Sequence, residues 1–287
     1  MSNFDALVRH YAEEKFGRKN EEAISKWTGY WTDTLSRNHG LFTAFRSRIE
    51  IRLEGKTVLD IGCGTAGLSR VITEEGGFYI GSDFFPIILE MGQALISDLP
   101  RSKSASLIRA SGTHLPLATS SVDYVVAFDI IEHLEAGRSW QLSFLREIRR
   151  VLKPTGLLLL TTPNLLYPFE GHTFLYGPQY LPVWLADLYI QWRNPSFLQE
   201  YKSYGKVHLL TPWKLHRLLD EARLKVVHDF PWGMDMEDYP AEKRRRLTLL
   251  GRAGLRWAAT SGFWFSACRE EDWDEVRQLK RKEWLRG

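Results

Sequence analysis

The chain has 287 residues, and its 38 lysines and arginines against 35 aspartates and glutamates leave a formal net charge of +3. Hydrophobic residues make up 44% and charged residues 25%, which excludes collagen-like, low-complexity and wholly disordered chains and leaves enough apolar material for an enzyme-sized core. So small a charge excess disfavours nucleic acid as a partner, because such binding rests on neutralising phosphates.

Residues 1–50 read as helices, with WTGYWTDTL in their middle. KTVLDIG (56–62) predicts a strand, a short apolar run ended by glycines. Leu68 to Glu75 has helical spacing, FYIGSD (78–83) is a second strand, Phe85 to Leu99 a helix and SLIRA (106–110) a weak third strand. SVDYVVAFD (121–129) is a strong fourth strand. The helix after it, Trp140 to Leu152, repeats Leu142, Leu145, Ile148, Arg149 and Leu152 at three and four. Pro154 and Gly156 punctuate the chain before a fifth strand, GLLLLTTP (156–163).

An aromatic, proline-containing insertion over 165–206 then interrupts the alternation. Pro212 to Ala222 predicts a helix, LKVVHDF (224–230) a strand, 240–259 a basic amphipathic helix, GFWFSAC (262–268) a final strand and 270–287 a charged helix. Strands alternating with helices of this length build βαβ units, so the expected fold is an α/β doubly wound sheet, mostly parallel and covered on both faces. No compositional shift marks a second domain.

Gly62-Cys63-Gly64-Thr65-Ala66-Gly67 satisfies G-x-G-x-x-G, follows a strand and opens a helix, the context that pattern requires. Glycines there allow a tight turn and a close ligand approach. Asp83 ends the next strand, about 20 residues on, where a carboxylate can accept both hydroxyls of an adenosine ribose. The pattern alone suits NAD, FAD or S-adenosylmethionine. Asp60 separates them: a carboxylate two residues before Gly62 would repel a pyrophosphate and attract the ammonium and sulfonium of S-adenosylmethionine.

VLDIGCGTAG, IGSD, LPLATSSVDYVV, IIEHL and LREIRRVLKPTGLLLLTTPN together resemble the class I S-adenosylmethionine-dependent methyltransferases, in register over about 56–164 with weaker echoes to about 268. Within that class the chain is most similar to the type 11 and ubiquinone-pathway-like small-molecule branch. The resemblance implies a Rossmann-like seven-stranded sheet whose last strand, here GFWFSAC, is inserted antiparallel. It implies S-adenosylmethionine as cofactor, with Asp60, Gly62, Cys63 and Gly64 lining its methionine end, Asp83 on the ribose and Phe84 on the adenine. Ser111, Gly112 and Thr113 form the adenine-side loop, and Asp129, at the end of the fourth strand, is a further cofactor-binding residue. Relatives commonly carry an acidic residue where this chain has Ser111; the hydroxyl can still accept a hydrogen bond, more weakly. The resulting organisation is a single domain, 1–287: a helical cap (1–50), a cofactor-binding half (51–164), an aromatic lid insertion (165–206) and a C-terminal, substrate-side half (207–287).

Methyl transfer to a hydroxyl needs a positioned acceptor and a proton acceptor. Three histidines lie in the segments expected to supply them: His133 in IIEH, His172 in EGHTF and His208 in KVHLLTP. Each also has a structural reading as a loop hydrogen-bonding group. The TPN…H…F arrangement around His172 is similar to methyltransferases of glycan and lipid biosynthesis. No two histidines have helical i, i+4 spacing, so no metal site is expected.

The insertion's Leu181–Trp192 stretch is apolar on most of its circumference and reads first as a lid, packing with Trp27, Tyr30 and Trp31 over the acceptor; a dimer contact or a peripheral membrane contact are the alternatives. The basic run Lys243–Arg246 reads as a solvated helix face, with anionic lipid or a phosphorylated substrate as the sharper alternative. The lone cysteines, Cys63 and Cys268, fit a reducing, cytoplasmic setting. The N-terminal stretch shows no signal-peptide pattern, and the longest aliphatic run, Leu157 to Leu160, is far below the ~20 residues of a membrane span. The expected function is O-methylation of a small molecule, glycan or lipid-linked intermediate. The alternatives are an N- or C-methyltransferase, or a non-catalytic adenosine-binding relative.

Overall fold

The computed structural model describes residues 3–17, 21–47, 49–100, 104–230, 241–253 and 260–277. Two N-terminal helices, α1 (Asn3–Phe16) and α2 (Glu21–Arg46), precede an alternating run: β1 (Thr57–Ile61), α3 (Ser69–Glu74), β2 (Phe78–Asp83), α4 (Pro86–Ser97), β3 (Ala105–Arg109), β4 (Val122–Phe128), α5 (Arg138–Val151) and β5 (Leu152–Pro163). The insertion holds a hairpin, β6 (Phe169–Glu170) and β7 (Leu175–Tyr176), then α6 (Val183–Arg193) and α7 (Pro195–Tyr201). Helix α8 (Pro212–Glu221), β8 (Leu224–Phe230), α9 (Ala241–Arg252) and β9 (Gly262–Arg269) complete it. The expected helix over 240–259 is described as α9, and residues 254–259 lie outside the described ones, as do 278–287 of the expected C-terminal helix.

The strands form one seven-stranded sheet in the order β3-β2-β1-β4-β5-β9-β8. Pairs β1–β2, β1–β4 and β2–β3 are parallel, whereas β9 runs antiparallel to both β5 and β8. The mixed α/β sheet is the one the strand–helix alternation predicts, and the inserted antiparallel last strand is the one the resemblance implies. β5 starts at Leu152, ahead of the Pro154 and Gly156 turn signal, because the bend is absorbed inside the strand: Thr155 adopts φ +61°.

The chain divides into two compact units, Met1–Val126 with Arg150–Leu157 and Asp274–Gly287, and Ala127–Arg149 with Leu158–Trp273. In the first unit, Val58, Leu59 and Ile61 of β1 are buried, as a parallel strand covered on both faces must be. Helix α1 presents Phe4 and Val8 to Met91 of α4, with Leu7, Tyr11 and Trp31 alongside. Burying side chains of that size stabilises the cap by about 1.5–3 kcal/mol each.

In the second unit α5 buries Leu145 and Ile148 of the predicted three-and-four spacing, together with Phe144, which that spacing does not include, while Leu142 and Arg149 are half-buried. The insertion has its own small core, in which Ala186 and Ile190 of α6 meet Phe197, Tyr204 and Val207. That arrangement leaves Trp184, Leu188 and Trp192 exposed on the other side of the same helix.

Candidate cofactor site and histidine cluster

The glycine loop leaves β1 through Gly62 and Gly64, with φ +68° and +54°. These are left-handed backbones that glycine adopts without a Cβ penalty. The amides of Gly62 and Cys63 both donate to the Ser82 carbonyl, at 2.7 and 3.0 Å, which pins the turn to the end of β2. Asp83 closes the arrangement: Oδ2 accepts from the Gly64 amide at 3.1 Å and Oδ1 from the Phe85 amide at 3.1 Å. Burial raises the Asp83 carboxyl above its ordinary value, against the pull of those amides.

Asp60 is buried beneath this turn, and its Oδ2 accepts from the Tyr79 hydroxyl at 2.9 Å. Its strand partner is Gly81, where a Cβ would come within 2.9 Å of both the Cys63 sulfur and the Tyr79 oxygen. The missing side chain at Gly81 therefore makes room for the tyrosine that holds Asp60. Burial, opposed by the tyrosine hydrogen bond and helped by the neighbouring Asp83 charge, moves the Asp60 carboxyl from 3.8 to about 7. Burial likewise pushes the Cys63 thiol well up, so it stays protonated and packs as a small apolar group.

Phe84 is 57% exposed and Arg109 covers one side of it, its guanidinium carbon 5.7 Å from the ring centroid. The ring stands beside Asp83 with the Phe85 ring edge-on against it at 5.7 Å between centroids. The Ser111 hydroxyl lies 2.9 Å from that of Thr113 and accepts from the Thr113 amide at 3.3 Å. It fixes the Ser111–Gly112–Thr113 turn, as a short acidic side chain would.

The N-terminal cap reaches this loop: a Cβ on Gly64 would lie 3.4 Å from the Trp31 ring. Trp31 is braced edge-on by Trp27 at 5.8 Å and by Tyr30 at 5.3 Å between centroids. We expect Trp31→Ala to weaken S-adenosylhomocysteine binding about three- to thirtyfold in calorimetry, the contribution of a desolvated aromatic packed on a ligand. Unchanged affinity would remove Trp31 from the cofactor site.

The second unit gathers a different set. His133 and His172 are 39 residues apart in sequence, yet their Nε2 atoms lie 3.3 Å apart with the rings edge to face. Glu170, on the hairpin strand β6, holds His172 from behind. Its Oε1 meets His172 Nδ1 at 2.6 Å and accepts from the His172 amide at 3.1 Å, while Oε2 accepts from the Thr173 amide at 2.7 Å. Tyr201 stacks on His133 at 5.9 Å. Glu132 is fully buried: its Oε2 accepts from the Thr162 hydroxyl at 2.9 Å, and its Oε1 has no hydrogen-bond partner among the described residues.

Burial pulls His172 down, but the Glu170 hydrogen bond and charge outweigh it and hold His172 above its ordinary value. Burial lowers His133 to about 3, helped by the neighbouring His172, so His133 is neutral at pH 7. Asp129 adds negative charge felt by Glu132 and His172, and its own Oδ1 accepts from the Thr161 hydroxyl at 2.8 Å.

His208 does not join the pair. Its ring Nε2 is engaged with the Glu135 carbonyl at 3.0 Å and its amide donates to the Glu132 carbonyl at 2.8 Å, so it braces the segment carrying Glu132 and His133. Local spacing singled out the histidines but missed Glu132, Glu170 and Tyr79. The one available signal was a carboxylate two residues before His172 and another beside His133.

A strand, a two-glycine turn, a helix and an acidic end to the next strand are the arrangement of a Rossmann-like nucleotide-binding fold, here with Asp60 buried before the turn. The methyltransferase domain family matches residues 59–160. Over 118 residues the chain is 36% identical to an uncharacterized methyltransferase of Mycobacterium bovis, covering 41% of this chain and 43% of that protein. Over 116 residues it is 37% identical to one of Mycolicibacterium gilvum, covering 40% and 42%. The chain thus spans less than half the length of the curated relatives it matches. Among solved structures, its fold is similar to an S-adenosylmethionine-dependent methyltransferase of Mesorhizobium loti, with TM-score 0.54, 16% identity, and coverage of 80% of this chain and 96% of that one. It is also similar to the CcbJ methyltransferase of Streptomyces caelestis, with TM-score 0.53, 14% identity, and coverage of 79% and 87%. Residues 59–160 thus match a methyltransferase domain within a Rossmann-like fold, and the cofactor this implies is S-adenosylmethionine. Among the described residues no helix is long and apolar enough to cross a membrane.

We expect Asp60 to give cofactor binding a pH dependence with a definite sign. Its raised value means that the ligand-free fold favours the protonated carboxyl, a contribution lost as pH rises from 3.8 towards about 7. The cofactor's ammonium favours the opposite, ionised form. Affinity for S-adenosylhomocysteine is therefore expected to rise about tenfold from pH 6 to pH 8, with proton release on binding at pH 6. An Asp60→Asn protein should show a flat profile over that range; a flat profile in the unsubstituted protein would dissociate Asp60 from the cofactor's charge.

Proposed function

We propose that this protein transfers a methyl group from S-adenosylmethionine to a hydroxyl oxygen of a small-molecule, glycan or lipid-linked acceptor, with the His133–His172 pair handling the acceptor's proton. The observation that carries this reading is the pairing itself: a neutral imidazole 3.3 Å from a second imidazole that a buried glutamate orients. A base positioned by a hydrogen-bonded partner and steadied by a carboxylate is what an oxygen acceptor needs. His133 is the group nearer to solvent, and His172 with Glu170 takes up the positive charge as it develops.

The cofactor residues are Asp60, Gly62, Cys63, Gly64, Asp83, Phe84, Ser111, Gly112 and Thr113. The 165–206 insertion acts as a lid, a reading supported by its exposed aromatic face and by its carrying His172. The same face is the candidate for contact with a lipid-linked acceptor or a membrane surface. The two free, buried cysteines support action in a reducing, cytoplasmic setting.

The test is transfer of labelled methyl from S-adenosylmethionine to extract-derived acceptors. His133→Ala and His172→Ala should each lower kcat about a hundredfold or more while leaving S-adenosylhomocysteine affinity within about twofold. A His133→Ala protein that keeps full activity on its acceptor would favour a nitrogen or carbon acceptor instead.

A further inference from the structure

We propose that Glu132, His133 and His172 form a binding site for one divalent transition-metal ion of the zinc or cobalt kind. The sequence gives no helical metal-ligand spacing, and the site exists only because the β6–β7 hairpin folds His172 back onto the Glu132-His133 pair. Three donor atoms converge: His133 Nε2 and His172 Nε2 are 3.3 Å apart, and Glu132 Oε1 lies 3.9 and 3.8 Å from them.

Two imidazole nitrogens bound at about 2.0–2.1 Å in a tetrahedral arrangement sit about 3.3 Å from each other. The histidines already stand at that separation. The carboxylate oxygen is about half an ångström wide of the same span, a distance a tilt about the Thr162 hydrogen bond covers.

The independent sign of a ligand is Glu132 Oε1. The side chain is wholly buried, its other oxygen is satisfied by Thr162, and Oε1 faces the two Nε2 atoms with no hydrogen bond among the described residues. Buried polar atoms in a folded protein are ordinarily paired, so such an atom asks for a partner. A hydrogen bond between the two imidazoles would use both ring nitrogens and still leave Oε1 without one. A cation between the three donors satisfies all of them together.

The surroundings have the form of a metal site's outer shell. His172 is held through Nδ1 by Glu170, which fixes its tautomer so that the Nε2 lone pair points at the cluster. Asp129 adds a further negative charge nearby. Two imidazoles and one carboxylate are the donors of zinc-type sites that keep a position open, and they suit magnesium and calcium poorly. The open position would take an oxygen of the acceptor, and the ion would then stand in place of the imidazole pair in easing loss of its proton, since both Nε2 atoms are its ligands. This last use rests on the O-methylation reading, whereas the binding of the ion does not.

The experiment uses the full chain without an affinity tag, stripped with EDTA and titrated with Co2+ by visible absorption, followed by competition with Zn2+. One equivalent of Co2+ should give ligand-field bands that Zn2+ abolishes. His172→Ala and Glu132→Gln should weaken Co2+ binding at least about a hundredfold, and Glu170→Gln about ten- to a hundredfold through the loss of the outer carboxylate. S-adenosylhomocysteine binding serves as the control for folding, and His133→Ala provides a second ligand variant should Glu132→Gln fail it. Absence of a stoichiometric band, or equal affinity in a His133→Ala/His172→Ala protein, overturns the proposal. If the stripped enzyme binds no Co2+ and still methylates a hydroxyl in a His133-dependent way, the metal site falls and the histidine base stands. If Co2+ binds at the three residues and no hydroxyl acceptor is turned over, the site stands and the O-methylation reading falls.

Discussion

Asp83→Ala is expected to cost S-adenosylhomocysteine affinity on the order of a hundredfold or more, read by calorimetry against the unsubstituted protein. Two losses combine. The side chain accepts from the amides of Gly64 and Phe85, so it holds the glycine loop against the start of α4. Its carboxylate is also the proposed acceptor for the two ribose hydroxyls. A hydrogen bond to a charged group contributes about 1.5–3 kcal/mol, and removing two of them reaches the stated range. Asp83→Asn keeps one acceptor oxygen and should fall between the two. An alanine variant that binds as tightly as the original, with an unaltered melting temperature, would take Asp83 out of both roles.

The first five strands are legible from local pattern because each is a short apolar run bounded by glycine, proline or charge, and the structure begins β2 and β8 at the residues that pattern gives. Local pattern fails where the chain bends without breaking. Pro154 and Gly156 read as the end of a connection, whereas Thr155 takes the left-handed conformation and lets β5 begin at Leu152. Strand order is a different matter. Nothing in GFWFSAC itself says that it enters between β5 and β8, and that expectation came only through resemblance; the paired registers place it there.

The glycine loop and the acids around it are readable for a physical reason. A tight turn restricts residue type, so glycines at 62 and 64 and acids at 60 and 83 announce themselves at fixed offsets. Tyr79 escaped because its role depends on what is missing at Gly81, a relation across a strand pair. The histidine cluster escaped more completely. His133 and His172 were each singled out, but a hairpin brings them together, and Glu132 and Glu170 look like ordinary surface acids until burial is known. Sequence spacing reads donors along one element only, so a site built from different elements has no signal in it.

Glu170→Gln should leave the protein folded and able to bind S-adenosylhomocysteine, while lowering methyl transfer by about a hundredfold. The carboxylate makes three contacts in the hairpin: the His172 amide, the His172 ring and the Thr173 amide. Glutamine has a single carbonyl oxygen and can keep only one of the two amide contacts, to His172 or to Thr173, so the hairpin loses less support than it does with alanine. It cannot stabilise positive charge on His172, and its amide nitrogen, if turned toward Nδ1, favours the opposite tautomer. Glu170→Ala should behave differently. Two buried amides and an imidazole lose their acceptor together, at roughly 1–3 kcal/mol for each unsatisfied group. That variant is expected to lower the melting temperature as well as activity. The contrast between the two separates orientation of His172 from support of the hairpin. A Gln variant with full kcat would show that the ring needs no negative charge behind it, and the proton-handling role of the pair would then fall on His133 alone.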